Sequence, residues 1–174
     1  ILASVPNVAV FRGALRGMKL WAERRGIKSN SLGYLGGVNV AIMTAYVAKN
    51  FPVKCNTSAA LLLKVFQVMA ARNWAEPMSL VEQEEDKELR MPTYRYDARR
   101  DHMAIITPAY PAFNSTDKVT EQTLQIMVRE FIIAYKATRS VFVQGLQILK
   151  HTDVSAPPAK RQADSECVEG EREG

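Results

Sequence analysis

Between Lys19 and Val38 the chain reads KLWAERRGIKSNSLGYLGGV, and groups able to grip a phosphate crowd into it. Lys19, Arg24, Arg25 and Lys28 supply cations, Asn30 an amide side chain, and Gly36-Gly37 opens a strongly apolar run that starts at Val38. At a helix start the first four backbone N–H groups lack intrahelical acceptors, and glycine lets a ligand come close to them. A lysine near such an end is a recurring arrangement for polyphosphate. Each part also has a plainer explanation. Two glycines make a tight turn, Lys19 alone is a solvated charge, Asn30 can bond its own turn, and Arg24-Arg25 complement a helix C-terminus. It is their joint occurrence that points to a ligand.

The rest of the chain offers less chemistry. His102 and His151 have no partnered nucleophile motif, and no serine sits in a nucleophile elbow. Asn114-Ser115-Thr116 is a glycosylation sequon without a secretory signal. The acidic run Glu82, Glu84, Glu85, Asp86 and Glu88 reads as a solvated loop, because no aspartate pair accompanies it on a neighbouring strand. Cys55 and Cys167 lie far apart without metal-ligand spacing, so neither a metal site nor a disulfide framework is expected, and a reducing compartment fits. No apolar run reaches the roughly 20 residues of a membrane span, so no membrane partner is expected.

These groups need a frame. With 174 residues and 47% hydrophobic content, the chain suits one globular domain with an appendage. The formal net charge is +5. Arg12, Arg16, Lys19, Arg24, Arg25, Lys28, Lys49 and Lys54 face only Glu23 in the first third, a lobe that attracts nucleotide or nucleic-acid phosphate.

Asn7 caps a first helix whose inward stripe is Val8, Phe11, Leu15, Met18 and Ala22, with Gly26 as its stop. A second helix, from about Val38 to Asn50, is apolar all round and belongs at the centre of a bundle. A third starts at Thr57 or Ser58 and runs to Asn73. From Trp74 to Phe113 periodicity fails, prolines punctuate short extended pieces such as Met103 to Thr107, and a functional or surface-wrapped connection is expected. Thr120 caps a last helix with the stripe Leu124, Met127, Val128, Phe131, Ile132 and Tyr135, which Val141, Phe142, Leu146 and Leu149 extend past a break near Ser140. The expected fold is mainly all-α: a bundle of about four main helices with a long irregular connection. Residues 1–150 form the domain, and 151–174 a flexible tail. The chain begins at Ile1 without a methionine, which suggests a piece of a longer protein.

Phe11 to Ala41, FRGALRGMKLWAERRGIKSNSLGYLGGVNVA, resembles the start of the central domain of eukaryotic nuclear poly(A) polymerases. Val5-Pro6-Asn7 fits as well. So does ITPAYP, Ile106 to Pro111, followed by Asn114-Ser115-Thr116, a combination that separates these enzymes from other nucleotidyltransferases with a KxW…GG pattern. The resemblance covers about residues 1 to 145. It implies the ATP-clamping domain of an enzyme that extends RNA 3′ ends, located in the nucleus. Mg²⁺ or Mn²⁺ would be bound by aspartates of an N-terminal palm, and RNA by a C-terminal domain. Neither part is evident in this chain, so it alone is expected to be inactive. Processing factors of the RNA 3′ end are further implied partners.

By the same resemblance, Lys19 contacts the ATP triphosphate, Asn30 the nucleotide end of the site, and Gly37 and Val38 approach the ATP. Lys28 stands where the family usually has tyrosine, which keeps polar reach and adds charge but loses the ring. Glu23, where some relatives carry lysine, would oppose phosphate or pair with Lys19 or Arg16. Two other readings remain open: a non-catalytic RNA-binding or scaffold module using the basic stripe, and the central domain of another terminal transferase, such as a uridylyltransferase. The ITPAYP segment argues against the last.

Overall fold

The structure, a computed structural model, describes residues 1–52, 56–81 and 94–152. Its frame is α1 (Val8–Arg24), α2 (Gly37–Asn50), α3 (Ser58–Ala71) and α4 (Glu121–Thr152), with short 3-10 turns at Leu2–Ser4 and Asn30–Leu32. Among the described residues extended pairing amounts to isolated bridges, Met78 with Ile105 and Ile106 with Asn114, so the all-α class holds. Ile1–Ser140 forms one compact unit and Val141–Gly174 a second. Of the second, residues 141–152 are described, and they are helical.

Local signals set these boundaries. The Asn7 side chain accepts from the Val10 N–H at 3.1 Å, satisfying one orphan donor of α1. Gly26, with φ of 69°, takes the left-handed conformation just past the end of α1. Phe11, Ala14, Met18 and Ala22 are buried, while Val8 and Leu15 are only part-buried against the core. On the face toward α3, a Cβ at Gly13 would run into the Ser58 side chain, and one at Gly17 would lie 3.2 Å from Leu62. Small residues therefore let α1 and α3 approach closely. Trp21 joins three helices, edge-on to Phe66 of α3 at 4.9 Å and stacked on Phe131 of α4 at 5.2 Å.

As its composition requires, α2 is enclosed: Asn39, Val40, Ile42, Met43, Thr44, Ala45, Val47 and Ala48 are all buried. The buried Thr44 hydroxyl is satisfied by donating to the Val40 carbonyl at 2.7 Å. The two ends leave the bundle: Val38 in the first turn is 53% exposed, and Lys49 and Asn50 are exposed at the last. Thr57 caps α3 by accepting from the Ala60 N–H, and the helix ends at Ala71, short of the expected Asn73. Thr120 and Thr123 cap the start of α4 reciprocally, each hydroxyl accepting from the other's N–H.

Two expectations for α4 need correction. Ile132 is 37% exposed rather than inward, because the buried arc narrows to Met127, Phe131 and Ala134, and Val141, expected to extend the stripe, is 70% exposed. No break occurs near Ser140: α4 is one helix from Glu121 to Thr152, with no proline inside to interrupt it.

The irregular connection is not surface wrapping throughout: Tyr110 and Phe113 are exposed, but a central piece runs through the interior. Met103, Ala104, Ile105 and Ile106 are buried at 1% exposure or less. Their backbone is tied on both sides. The Met78 N–H donates to the Ala104 carbonyl and the Ile106 N–H to that of Met78, both at 2.8 Å. The Thr107 N–H donates to Phe113 at 3.0 Å, and the Ser115 N–H to Ile105 at 2.9 Å. Tyr110-Pro111 is a cis peptide at the tip of the loop between. The acidic run from Glu82 to Glu88, Lys54, Cys55 and Cys167 lie outside the described residues, as does the expected tail beyond Thr152.

Candidate functional site

A cavity of about 290 Å³ lies at the N-terminus of α2. One wall is Asn30 with the first turn of the helix, Gly36, Gly37, Val38 and Asn39; the other comes from Thr107, Phe113, Asn114, Ser115 and Asp117. Gly36 is the N-cap residue, and no side chain caps this end. The N–H groups of the first turn are thus left without the usual capping oxygen. A Cβ built at Gly37 would meet no protein atom within 4 Å. Packing within the described residues does not demand glycine there; its effect is to keep the space over the helix end open.

The wall opposite α2 is held by buried polar groups. Asn114 Oδ1 accepts from the Ile105 N–H at 3.2 Å and the Thr116 N–H at 3.0 Å. The Thr116 hydroxyl accepts a second contact from Ile105 N–H and donates to the Met103 carbonyl. Asn114 Nδ2 donates to Asp101 Oδ1 at 3.1 Å, and the Tyr94 hydroxyl donates to Asp101 Oδ2 at 2.6 Å. Burial is the largest single influence on Asp101 and acts to raise its pKa. Hydrogen bonds from Tyr94, the Asp97 N–H and Asn114 together outweigh it and hold the carboxyl below its usual range. Tyr94 is pushed up, by burial first and then by its bond to the Asp101 carboxylate. Across the cavity floor Asn39 Nδ2 donates to the Ser115 carbonyl at 3.3 Å, joining this wall to α2.

The cations sit elsewhere. Lys19 is exposed on α1, and Lys28 is exposed in the loop that follows; neither belongs to the cavity lining. The Lys28 ammonium donates to the Glu23 carboxylate at 2.8 Å and holds that carboxyl below the usual range. Glu23 therefore pairs with Lys28, not with Lys19 or Arg16 as its position on α1 suggested; the chain doubles back after Gly26 and brings residue 28 to it. Arg25, read from sequence as a cation for phosphate or as a complement to the helix dipole, clasps Glu130 of α4 through two bonds of 2.6 and 3.1 Å.

Of the residues expected at a site, Asn30, Gly37 and Val38 share one cavity, while Lys19 on α1 and Lys28 in the loop after it are not in its lining. Asn39, Thr107, Phe113 and Asp117 were missed. Asn39 had a signal, a lone amide inside an otherwise apolar helix, since such a side chain must find a partner. Among the described residues no three His, Cys, Asp or Glu side chains converge as metal ligands, and Asp117 is the one carboxylate lining the cavity. That donor set does not fit a pair of divalent ions.

The poly(A) polymerase central domain family matches residues 10–151. A poly(A) polymerase of Dictyostelium discoideum is 41% identical over 142 residues, which is 81% of this chain and 17% of the relative. Nuclear poly(A) polymerase 4 of Arabidopsis thaliana is 41% identical over 138 residues, 75% of this chain and 18% of the relative. The poly(A) polymerase pla1 of Schizosaccharomyces pombe is 37% identical over 150 residues, 84% of this chain and 26% of the relative. The chain thus spans about a quarter or less of the length of these relatives.

Proposed function

The chain belongs to the poly(A) polymerase central domain family, and from that premise we propose that it is the ATP-clamping domain of an enzyme that adds adenylate to RNA 3′ ends. The cavity at the α2 N-terminus supports this reading most directly, because Asn30, Gly37 and Val38 meet there around space that no described side chain fills. Asp117 repels phosphate from the cavity but accepts bonds from a hydroxyl or an exocyclic amine, so the nucleoside end of ATP enters it, with Asn30 as a further polar contact. The exposed ammonium groups of Lys19 and Lys28 then serve the triphosphate.

The remaining parts of the reaction lie beyond this domain. Mg²⁺ or Mn²⁺, held by aspartates elsewhere in the complete protein, would stabilise the attacking and leaving oxygens. An RNA 3′ end is the acceptor, and the naming of Arabidopsis relatives as nuclear enzymes supports a place in the nucleus, among 3′-end processing factors.

The test uses Gly37→Ala and Lys19→Ala in the complete protein that carries this domain. At Gly37 the added methyl touches no described protein atom, so the melting temperature should hold while the KM for ATP rises several-fold. Lys19→Ala should lower kcat/KM for ATP by about 10- to 100-fold, the range of a lost charged hydrogen bond. Unchanged ATP kinetics in both variants would sink the reading. The exposed Arg12, Arg16 and Lys19 along α1 favour a second one, a surface for RNA backbones. Strongly salt-dependent RNA affinity, lost in Lys19→Ala without any change in ATP use, would support it instead.

A further inference from the structure

Behind the cavity lies a carboxylate that the proposed function leaves unused. Asp101 is 3% exposed, in the middle of an irregular segment. A carboxylate removed from water is costly unless its lone pairs are filled. Here they are: Oδ2 receives the Tyr94 hydroxyl at 2.6 Å and the Asp97 N–H at 3.0 Å, and Oδ1 receives Asn114 Nδ2 at 3.1 Å. Arg100 Nε lies 3.6 Å from Oδ1.

The contact with Asn114 has a directional consequence. A carboxylate only accepts, so it must face the amide nitrogen, and the amide oxygen must then point the other way. That oxygen is what receives the Ile105 and Thr116 N–H groups. The bonds fix residues 114 to 116, and so place the Ser115 carbonyl where Asn39 at the first turn of α2 reaches it. Asp101, Asn114, Ser115 and Asn39 form one relay from the interior to the helix end, and its last three members line the cavity.

We propose that Asp101 is a positioning residue for the nucleotide cavity: by orienting Asn114 it sets the distance between the 113–117 wall and the N-terminus of α2. The inference rests on the ATP reading above. It gives a reason for an ionised group here, since a neutral amide at position 101 could face Asn114 or the Asp97 and Tyr94 donors correctly, but not both.

The test is steady-state kinetics of the complete protein with an RNA primer, for Asp101→Asn, Tyr94→Phe and Asn30→Ala, with melting temperatures alongside. Asp101→Asn should raise the KM for ATP about 10-fold while kcat stays within about 3-fold, and Tyr94→Phe should raise KM about 3-fold. A role in folding alone would act differently, lowering the active fraction and hence kcat at a wild-type KM. That split in both variants, with Asn30→Ala raising the KM, would overturn the positioning role and leave the ATP reading standing. A wild-type KM in all three would overturn the ATP reading and the inference with it. Should Asp101→Asn fail to fold, Tyr94→Phe decides by the same criterion.

Discussion

On the 113–117 side of the α2 N-terminus, Asn114 and Thr116 are at least nine-tenths buried and their hydrogen-bonding groups are matched to named partners. On the α1 side, Lys28 and Glu23 meet as a surface pair whose side chains are 41% and 64% exposed. The proposed function assigns both regions to one site, yet they are held by different physics. Buried donors and acceptors have no water to fall back on, so the first region has one arrangement and loses heavily if a partner is removed. Exposed ions exchange protein for water at little cost, so the second can rearrange around a ligand. The buried side bounds the cavity, and on the proposed reading the exposed side supplies charge.

The contrast is tested most severely at Asn114. Asn114→Leu keeps the volume but removes the acceptor of the Thr116 N–H and the donor to Asp101, leaving a buried carboxylate short of a partner. A loss of about 3 kcal/mol in urea unfolding is expected, large against the total stability of a domain. A loss under about 0.5 kcal/mol would mean that the buried network contributes little and that the two regions do not differ as argued.

Acid should reveal the same asymmetry with a smaller effect. The folded pKa of Asp101 is depressed, so its contribution is fully present above the ordinary aspartate value and is lost as pH falls through the folded value. Unfolding midpoints of the wild type and Asp101→Asn should therefore converge on acidification and separate again toward neutrality. Taking the difference between the two cancels the other carboxylates. A gap that stays constant with pH would show that the charge on Asp101 is not what stabilises the wall.

The same contrast explains what could be read from sequence. The helices were legible because periodic apolar stripes and local caps are short-range signals: Asn7, Gly26, Thr57 and Thr120 each act within a few residues of themselves. Asn30, Gly37 and Val38 were legible as a turn leading into a helix. The buried wall was not, because Asn114 meets Asp101 across 13 residues and Asn39 meets Ser115 across 76, and no local period records such contacts. Read locally, Asn114-Ser115-Thr116 resembles a surface sequon; only the tertiary structure makes it the pinned edge of a cavity. Ile132 failed for a related reason. Its spacing suits an inward stripe, but the breadth of the buried arc depends on what neighbours α4.

The exposed side gives the smallest and most discriminating effect. Glu23 occupies the Lys28 ammonium at 2.8 Å, so any phosphate contact made by Lys28 must compete with that carboxylate. Glu23→Gln removes the competitor and leaves the cavity untouched. If Lys28 serves the triphosphate, the KM for ATP should fall by about 2-fold at low salt, and the gain should fade as ionic strength rises, because both groups are exposed. The melting temperature should not move. A change in melting temperature without a change in KM would place Glu23 and Lys28 with the rigid wall rather than opposite it. A salt-insensitive gain would argue that the carboxylate acts on ATP through shape, not through competition for a cation.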